Sequence, residues 1–208
     1  MRKCILIAVS IFGLGLTQIF SQEIPIGIRF DVNTSHFILE NRGNSERNQR
    51  GFGFSMGGFT RIDFSENFAL RPEILLHYKT SKMERFGTDA GFQYVGIEIP
   101  IHFIYQVNGR RCFIGTGVYF GYGIDARYRF GNGENLNLFR RGYGGLSEMN
   151  RFDFGIASIV GHQFFGRRLQ LVITCKVGLA NLLSANRNNA TMRLHTLSVG
   201  LGYTLNTR

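Results

Sequence analysis

A two-residue rhythm runs through most of this chain and constrains its fold more than any single motif. In Val95-Gly96-Ile97-Glu98-Ile99-Pro100-Ile101-His102-Phe103-Ile104-Tyr105 the odd positions are all apolar or aromatic, while the even ones carry Gly96, Glu98, Pro100 and His102. Successive strand side chains point to opposite faces, so such a segment has one greasy face and one polar face. Cys112 to Tyr128 repeats the pattern, with Ile114, Val118, Phe120, Tyr122 and Ile124 on one face. Its other face holds Gly115, Gly117, Gly121, Gly123, Asp125 and Arg127. The rhythm recurs at about 24–38, 51–64, 69–80, 152–165, 168–181 and 192–205. This predicts an all-β fold of about eight strands, each long enough to cross a bilayer when tilted.

The connections alternate in kind. Three are tight, at Glu66-Asn67-Phe68, Asn108-Gly109 and Gly166-Arg167, and Asn-Gly is the preferred sequence for a type I′ hairpin. Four are longer and polar, at about 39–50, 81–92, 129–151 and 182–191. Short turns at one rim and long loops at the other describe an up-and-down transmembrane barrel. With an even strand count, both termini and the short turns face the periplasm and the long loops face outward.

The N-terminus fits that destination. Arg2 and Lys3 precede an apolar run from Ile5 to Phe20, and Ser21 offers a small residue for cleavage before Gln22 and Glu23. This is the plan of a secretory signal peptide, predicted over 1–21, leaving 22–208 as one outer-membrane barrel domain. A length of 208 residues is too short for two ordinary domains. The mean hydropathy of −0.03 is far too low for a helical membrane protein, yet natural for strands that alternate lipid-facing and lumen-facing residues. Cys4 leaves with the signal, Cys112 and Cys175 fall on strands that are not neighbours, and no Cys/His spacing suggests zinc.

A soluble barrel also alternates, so the side that faces inward must be argued from volume. An eight-stranded barrel is only just wide enough for side chains to fill it, so small residues belong inside. Gly27, Gly53, Gly57, Gly96, Gly115, Gly117, Gly121, Gly123, Gly155, Gly161, Gly178, Gly200 and Gly202 all share the face that carries the charges. The bulky face has only Gly58 as a clear glycine, and pointed inward it would overfill the lumen. Pointed outward, it meets lipid. Two aromatic belts agree with this: Phe64, Tyr105, Phe164 and Tyr203 near the periplasmic rim, and Phe52, Tyr78, Tyr128 and Phe152 near the other.

The polar face carries the candidate functional residues. If Glu66-Asn67-Phe68 is a three-residue loop, Asp63 faces Arg71 and Arg61 faces Glu73, and opposed charges across strands stabilise. A loop centred near Gly87 brings His77 close to Glu98 and Glu73 close to His102. Asp125, Arg127 and Asp153 form a further expected group near the outer rim, with Lys176 and Arg29 as additional cations. Two readings stand beside each other. Glu73, His77, Glu98 and His102 suit a metal or acid/base centre. Arg61, Asp63, Arg71, Glu73, His77, Glu98 and His102 also suit a buried network that fills the lumen and neutralises itself. The second is preferred, because paired charges recur along several strands. The mature chain has no H-E-x-x-H and no phosphate-cradling loop, and no catalytic residue and no cofactor is assigned.

The formal net charge is +10. Much of it lies in the predicted outer loops, at Arg42, Arg47, Arg50, Lys82, Arg85, Arg140, Arg141 and Arg187, with Arg110-Arg111 and Arg167-Arg168 at the other rim. A secreted barrel has little access to nucleic acid. The expected partners are outer-membrane lipids and lipopolysaccharide, with Arg140 and Arg141 as contacts to anionic phosphates.

The chain resembles the Bacteroidetes-type outer-membrane β-barrel domain family, the PorT-like or porin-family small barrels. The resemblance covers about 24–205 and is carried by Leu70-Arg71-Pro72-Glu73-Ile74-Leu75, Tyr94-Val95-Gly96-Ile97-Glu98-Ile99-Pro100, Gly117-Val118-Tyr119-Phe120-Gly121-Tyr122, Asp153-Phe154-Gly155 and Leu197-Ser198-Val199-Gly200-Leu201-Gly202-Tyr203. It implies a monomeric integral barrel of the Gram-negative outer membrane; a few members assist protein secretion. Many such barrels end in an aromatic residue, whereas this chain ends Asn206-Thr207-Arg208, with Tyr203 and Leu205 as substitutes. The expected role is non-enzymatic: envelope structure, surface interaction or limited transport. The alternatives are an accessory factor for secretion and a lipid-modifying enzyme of the outer membrane.

Overall fold

The computed structural model describes residues 24–41, 44–47, 49–85, 88–107, 111–129, 135–140, 149–166, 168–183 and 191–206. The predicted signal peptide, the Asn108-Gly109 turn, Arg141 and Arg187 lie outside these residues. Eight long strands form the wall: β1 (Ile26–Asn41), β2 (Gln49–Thr60), β3 (Phe68–Arg85), β4 (Thr88–Val107), β5 (Cys112–Arg129), β6 (Phe152–Phe164), β7 (Leu169–Gly178) and β8 (Thr191–Thr204). Short segments at Asn44–Arg47, Ile62–Asp63 and Asn135–Asn137 extend the ladders of β1, β3 and β5. Each long strand pairs antiparallel with its neighbours in chain order. β8 pairs with β1 from Gly27↔Thr204 to Glu40↔Thr191, which closes the sheet on itself. Closure removes the unpaired edges that an open sheet would present.

The greasy face points out. Ile28, Phe30, Ile74, Ile114, Phe120, Ile156, Val199 and Leu201 all stand exposed on the outer wall, while Arg29, Asp31, Arg71, Glu73 and Glu98 are buried inside. Exposed large apolar side chains over a whole wall are stable only against lipid, so the same residues that would make a soluble protein aggregate here anchor it. β3 and β4 run for 18 and 20 residues, well beyond the roughly 9–11 that a tilted strand needs to span a bilayer. Their far ends project past the membrane, at the rim opposite to the chain termini.

Two details of the ladder depart from the sequence reading. The β2–β3 turn occupies Phe64 to Asn67, with the Phe64 amide donating to the Phe68 carbonyl at 2.9 Å. Asp63 therefore faces Ala69, and Phe59 faces Glu73, a slip of two residues from the expected register. In the β3–β4 ladder His77 faces Gly96 and Arg71 faces His102, so the expected neighbours His77 and Glu98 meet diagonally, with Nδ1 3.7 Å from Oε1. A slip of two keeps every side chain on its own face, so the hydrophobic pattern cannot detect it. The other departure is a bulge on β5. Val95 pairs with Asp125 and Gly96 with Gly123, leaving Ile124 as the extra residue. A bulge inverts the alternation beyond it. Ala126 is thus buried inside, Arg127 is exposed outside, and Tyr128 packs toward the inner cluster and not in the outer belt.

At the β6–β7 turn, Phe165 and Gly166 have φ of 47° and 66°. The Arg168 amide donates to the Phe165 carbonyl at 3.4 Å across this tight turn, and the left-handed region is one that glycine enters without strain and Phe165 does not.

Candidate functional site: the charged lumen

The interior is layered. Toward the terminal rim, Ala69, Ile104, Phe113, Ile159 and Val172 form an apolar layer. Toward the far rim, Phe37, Phe92, Tyr94, Ala126, Phe139, Met149, Leu182, Met192 and Leu194 form a larger one. Between them lies the charged belt.

Inward aromatics fit over inward glycines, and this makes such layers possible in a narrow barrel. A Cβ on Gly161 would lie 2.1 Å from Phe113 Cζ, one on Gly27 2.2 Å from Phe59 Cζ, and one on Gly123 2.3 Å from Phe139 Cζ. The glycines are holes for rings, so the lumen is filled by alternating large and absent side chains.

The belt contains two charge groups. In the first, Arg29 donates from Nε to Asp31 Oδ1 at 2.7 Å, from Nη1 to Glu73 Oε2 at 2.8 Å and from Nη2 to Thr174 Oγ1 at 2.7 Å. Arg71 donates from Nε to Glu73 Oε1 at 2.6 Å and from Nη1 to Gln170 Oε1 at 2.6 Å. Its guanidinium carbon sits 4.0 Å from the centre of the Phe59 ring, a cation–π contact sheltered from water. Glu73 thus receives one arginine on each oxygen, joining β1, β3 and, through Gln170, β7.

The second group is centred on Glu98. Lys79 donates to its Oε1 and Lys176 to its Oε2. His77 Nδ1 lies 3.7 Å from Oε1, and the His77 ring stacks on Tyr94 with centroids 5.3 Å apart. Nearby, the Tyr119 hydroxyl donates to Asp153 Oδ2 at 3.1 Å. The buried charged residues of the described chain are Arg29, Arg71, Lys79 and Lys176 against Asp31, Glu73, Glu98 and Asp153, four bases to four acids.

Of the residues singled out from sequence, Arg71, Glu73, His77, Glu98 and His102 are all buried in this belt. Arg61 and Asp63 are not. They pair with each other at the terminal rim, at 2.7 and 2.9 Å, with side chains 15% and 32% exposed. The expected Asp63–Arg71 and Arg61–Glu73 pairs do not form, because the longer turn moves both partners by two positions. The expected group of Asp125, Arg127 and Asp153 also fails to assemble. Beyond the Ile124 bulge Asp125 bonds Arg127 and Asn137, while Asp153 stays inside with Tyr119. Sequence reasoning missed Lys79 and Asp31, although both share the parity of residues it placed in the lumen. Among the described residues, no three His, Cys, Asp or Glu side chains converge at metal-ligand distances. Cys112 and Cys175 are free thiols on β5 and β7, separated by β6. Arg140 is exposed beyond the far end of β5.

A model of the outer membrane protein beta-barrel domain family matches residues 20–184. The chain belongs to that family. As an outer membrane beta-barrel domain it resides in the outer membrane, which accounts for the apolar outer wall. Neisserial surface protein A, from a solved structure, shares 13% identity at a TM-score of 0.51, over 86% of this chain and 97% of that one. The attachment invasion locus protein Ail of Yersinia pestis shares 13% identity at a TM-score of 0.45, over 86% and 99% of the two chains. OprG of Pseudomonas aeruginosa shares 10% identity at 0.46, over 88% and 96%. The first of these likenesses supports the fold. No curated protein matches the sequence.

Proposed function

We propose that this barrel is closed to solutes and acts through its surface, in envelope structure or surface interaction, without catalysing a reaction. The observation that carries the reading is the self-neutralised belt of four bases and four acids held between two apolar layers. Ions would have to cross both layers, and each layer excludes water that could hydrate them. Limited transport requires Arg29, Arg71, Lys79 and Lys176 to let go of their carboxylates together. Each release leaves a buried charge without its partner, at a cost of several kcal/mol per ion.

In this reading the termini and short turns face the periplasm, and the long β3–β4 hairpin faces outward. The protein works as a monomer without a cofactor. Its outer-rim cations, Arg140 and Arg141 among them, meet lipopolysaccharide phosphates; the excess of positive charge over the chain supports this partner class. The motifs Leu70 to Leu75 and Tyr94 to Pro100 support placement among the PorT-like small barrels.

The test is flux through proteoliposomes made with refolded protein. Vesicles holding the barrel should swell in small sugars no faster than empty vesicles. Swelling that scales with the amount of folded protein would overturn the closed reading.

A further inference from the structure

We propose that His36 and His195 form a binding site for a first-row divalent metal ion such as Zn²⁺, Cu²⁺ or Ni²⁺, clipping the seam where the barrel closes. The two histidines are Cα partners on β1 and β8, the first and last strands of the wall. Their ring centroids lie 5.4 Å apart with planes inclined by 29°. An imidazole nitrogen binds such an ion at about 2.1 Å, so two rings sharing one tetrahedral ion have centroids roughly 5.2 Å apart. The observed separation matches that spacing, with the two rings stacked in this structure. The terminal ring torsion of histidine is broad and soft, so a small rotation brings one nitrogen of each ring to a shared ion. Imidazole is the side-chain ligand that suits zinc, copper and nickel alike.

The position in the wall is right for an ion arriving from water. Toward the terminal rim, the outward positions of the two strands are apolar: Phe30 and Val32 on β1, Leu197, Val199 and Leu201 on β8. Thr34 then pairs with Phe52, which is 76% exposed in the far aromatic belt. His36 comes one outward step beyond that belt, at the level of the lipid headgroups. Beyond it Ile38 pairs with Arg193, and Arg193 Nη1 lies 3.8 Å from Glu40 Oε2. On the β7 side His195 has Val177 as its Cα partner, and Arg50 is exposed near the end of β2. Both histidines are half-buried, so an ion held there is partly shielded and still reachable. Water completes its coordination.

The consequence is mechanical. In the folded barrel the two ligands belong to strands that meet only at closure, so the ion binds the closed form and stabilises it by mass action. Among the described residues, Cys112 and His162 also bring ligand-type atoms together, but their Sγ and Nδ1 are already in hydrogen-bond contact at 3.0 Å at the terminal rim. This pair serves as the internal control.

The experiment uses untagged, refolded full-length barrel in detergent. Electron paramagnetic resonance of added Cu²⁺ should show two equivalent imidazole nitrogens, and added Zn²⁺ should raise the temperature at which the barrel loses its compact gel mobility. His36→Gln and His195→Gln should each leave one nitrogen and weaken binding by about tenfold or more, the order by which loss of a supporting group lowers metal affinity. His162→Gln should change neither readout. In the unmodified protein Zn²⁺ should also protect His36 and His195 from diethyl pyrocarbonate, which keeps the test independent of how the variants fold. Two nitrogens persisting when His36→Gln and His195→Gln are combined, a signal that follows His162, or no protection by Zn²⁺ would each overturn the proposal.

Discussion

Replacing Glu98 by glutamine removes one negative charge from the middle of the lumen and changes almost no volume. Its carboxylate is 2% exposed and receives Lys79 on one oxygen and Lys176 on the other, with the two lysine side chains 2% and 5% exposed. Removing one partner of a buried ion pair costs about 3–5 kcal/mol, because the remaining charge stays desolvated. The glutamine carbonyl still accepts one hydrogen bond, which returns about 1 kcal/mol. Glu98→Gln should therefore destabilise the barrel by roughly 2–4 kcal/mol. Exchanging all three residues for methionine removes the unpaired charges as well, and should leave stability within about 1 kcal/mol of the parent or above it. The assay is reversible urea unfolding in lipid vesicles, followed by gel mobility. A Glu98→Gln midpoint equal to the parent's would refute the reasoning. So would a triple variant less stable than the single one.

The remaining predictions concern the wall and the rims. Gly117→Val should prevent closure or cost about 1–3 kcal/mol or more, since even a Cβ there would lie 1.9 Å from the Ile101 carbonyl oxygen. Gly58→Ala, on the lipid face with nothing nearer than 3.5 Å, should fold as the parent does; the folded fraction in a gel heat-shift compares the two. Arg140→Ala with Arg141→Ala should lower lipopolysaccharide retention during purification, and unchanged retention would remove those residues from the proposed contact.

The architecture was legible because each strand records the solvent on both of its faces. Period-2 alternation gave the strands, and the crowding of glycines onto the charged face gave the direction of the lumen. Register was not legible. Arg61 and Asp63 share parity with Arg71 and Glu73, so a turn ending at Asn67 and not at Phe68 reshuffles the pairs without moving any residue to the wrong face. Parity itself failed past Ile124, where one extra residue turned Asp125, Arg127 and Tyr128 about.

The apolar layers were hidden for a different reason. Phe37, Phe59, Phe92 and Phe113 are of the residue type that lipid attracts, and only their parity marks them as inward. Reading the inward glycines as simply small obscured that they are the sockets for those rings. Lys79 needed no more than the step of two from His77. The His36–His195 pair needed the closing register, which links the two ends of the chain.

Single-channel recording of the refolded parent in a planar bilayer, after a heat-shift confirms folding, tests the closed lumen most directly. The account predicts a silent trace for the parent. It predicts that current appears when Arg71 and Glu73 are both replaced by alanine, which leaves Arg29 without Glu73 and lets water into the belt. Steady conductance in the parent, with selectivity that shifts on changing Glu98 or Lys79, would contradict the closed lumen and make the barrel a small pore.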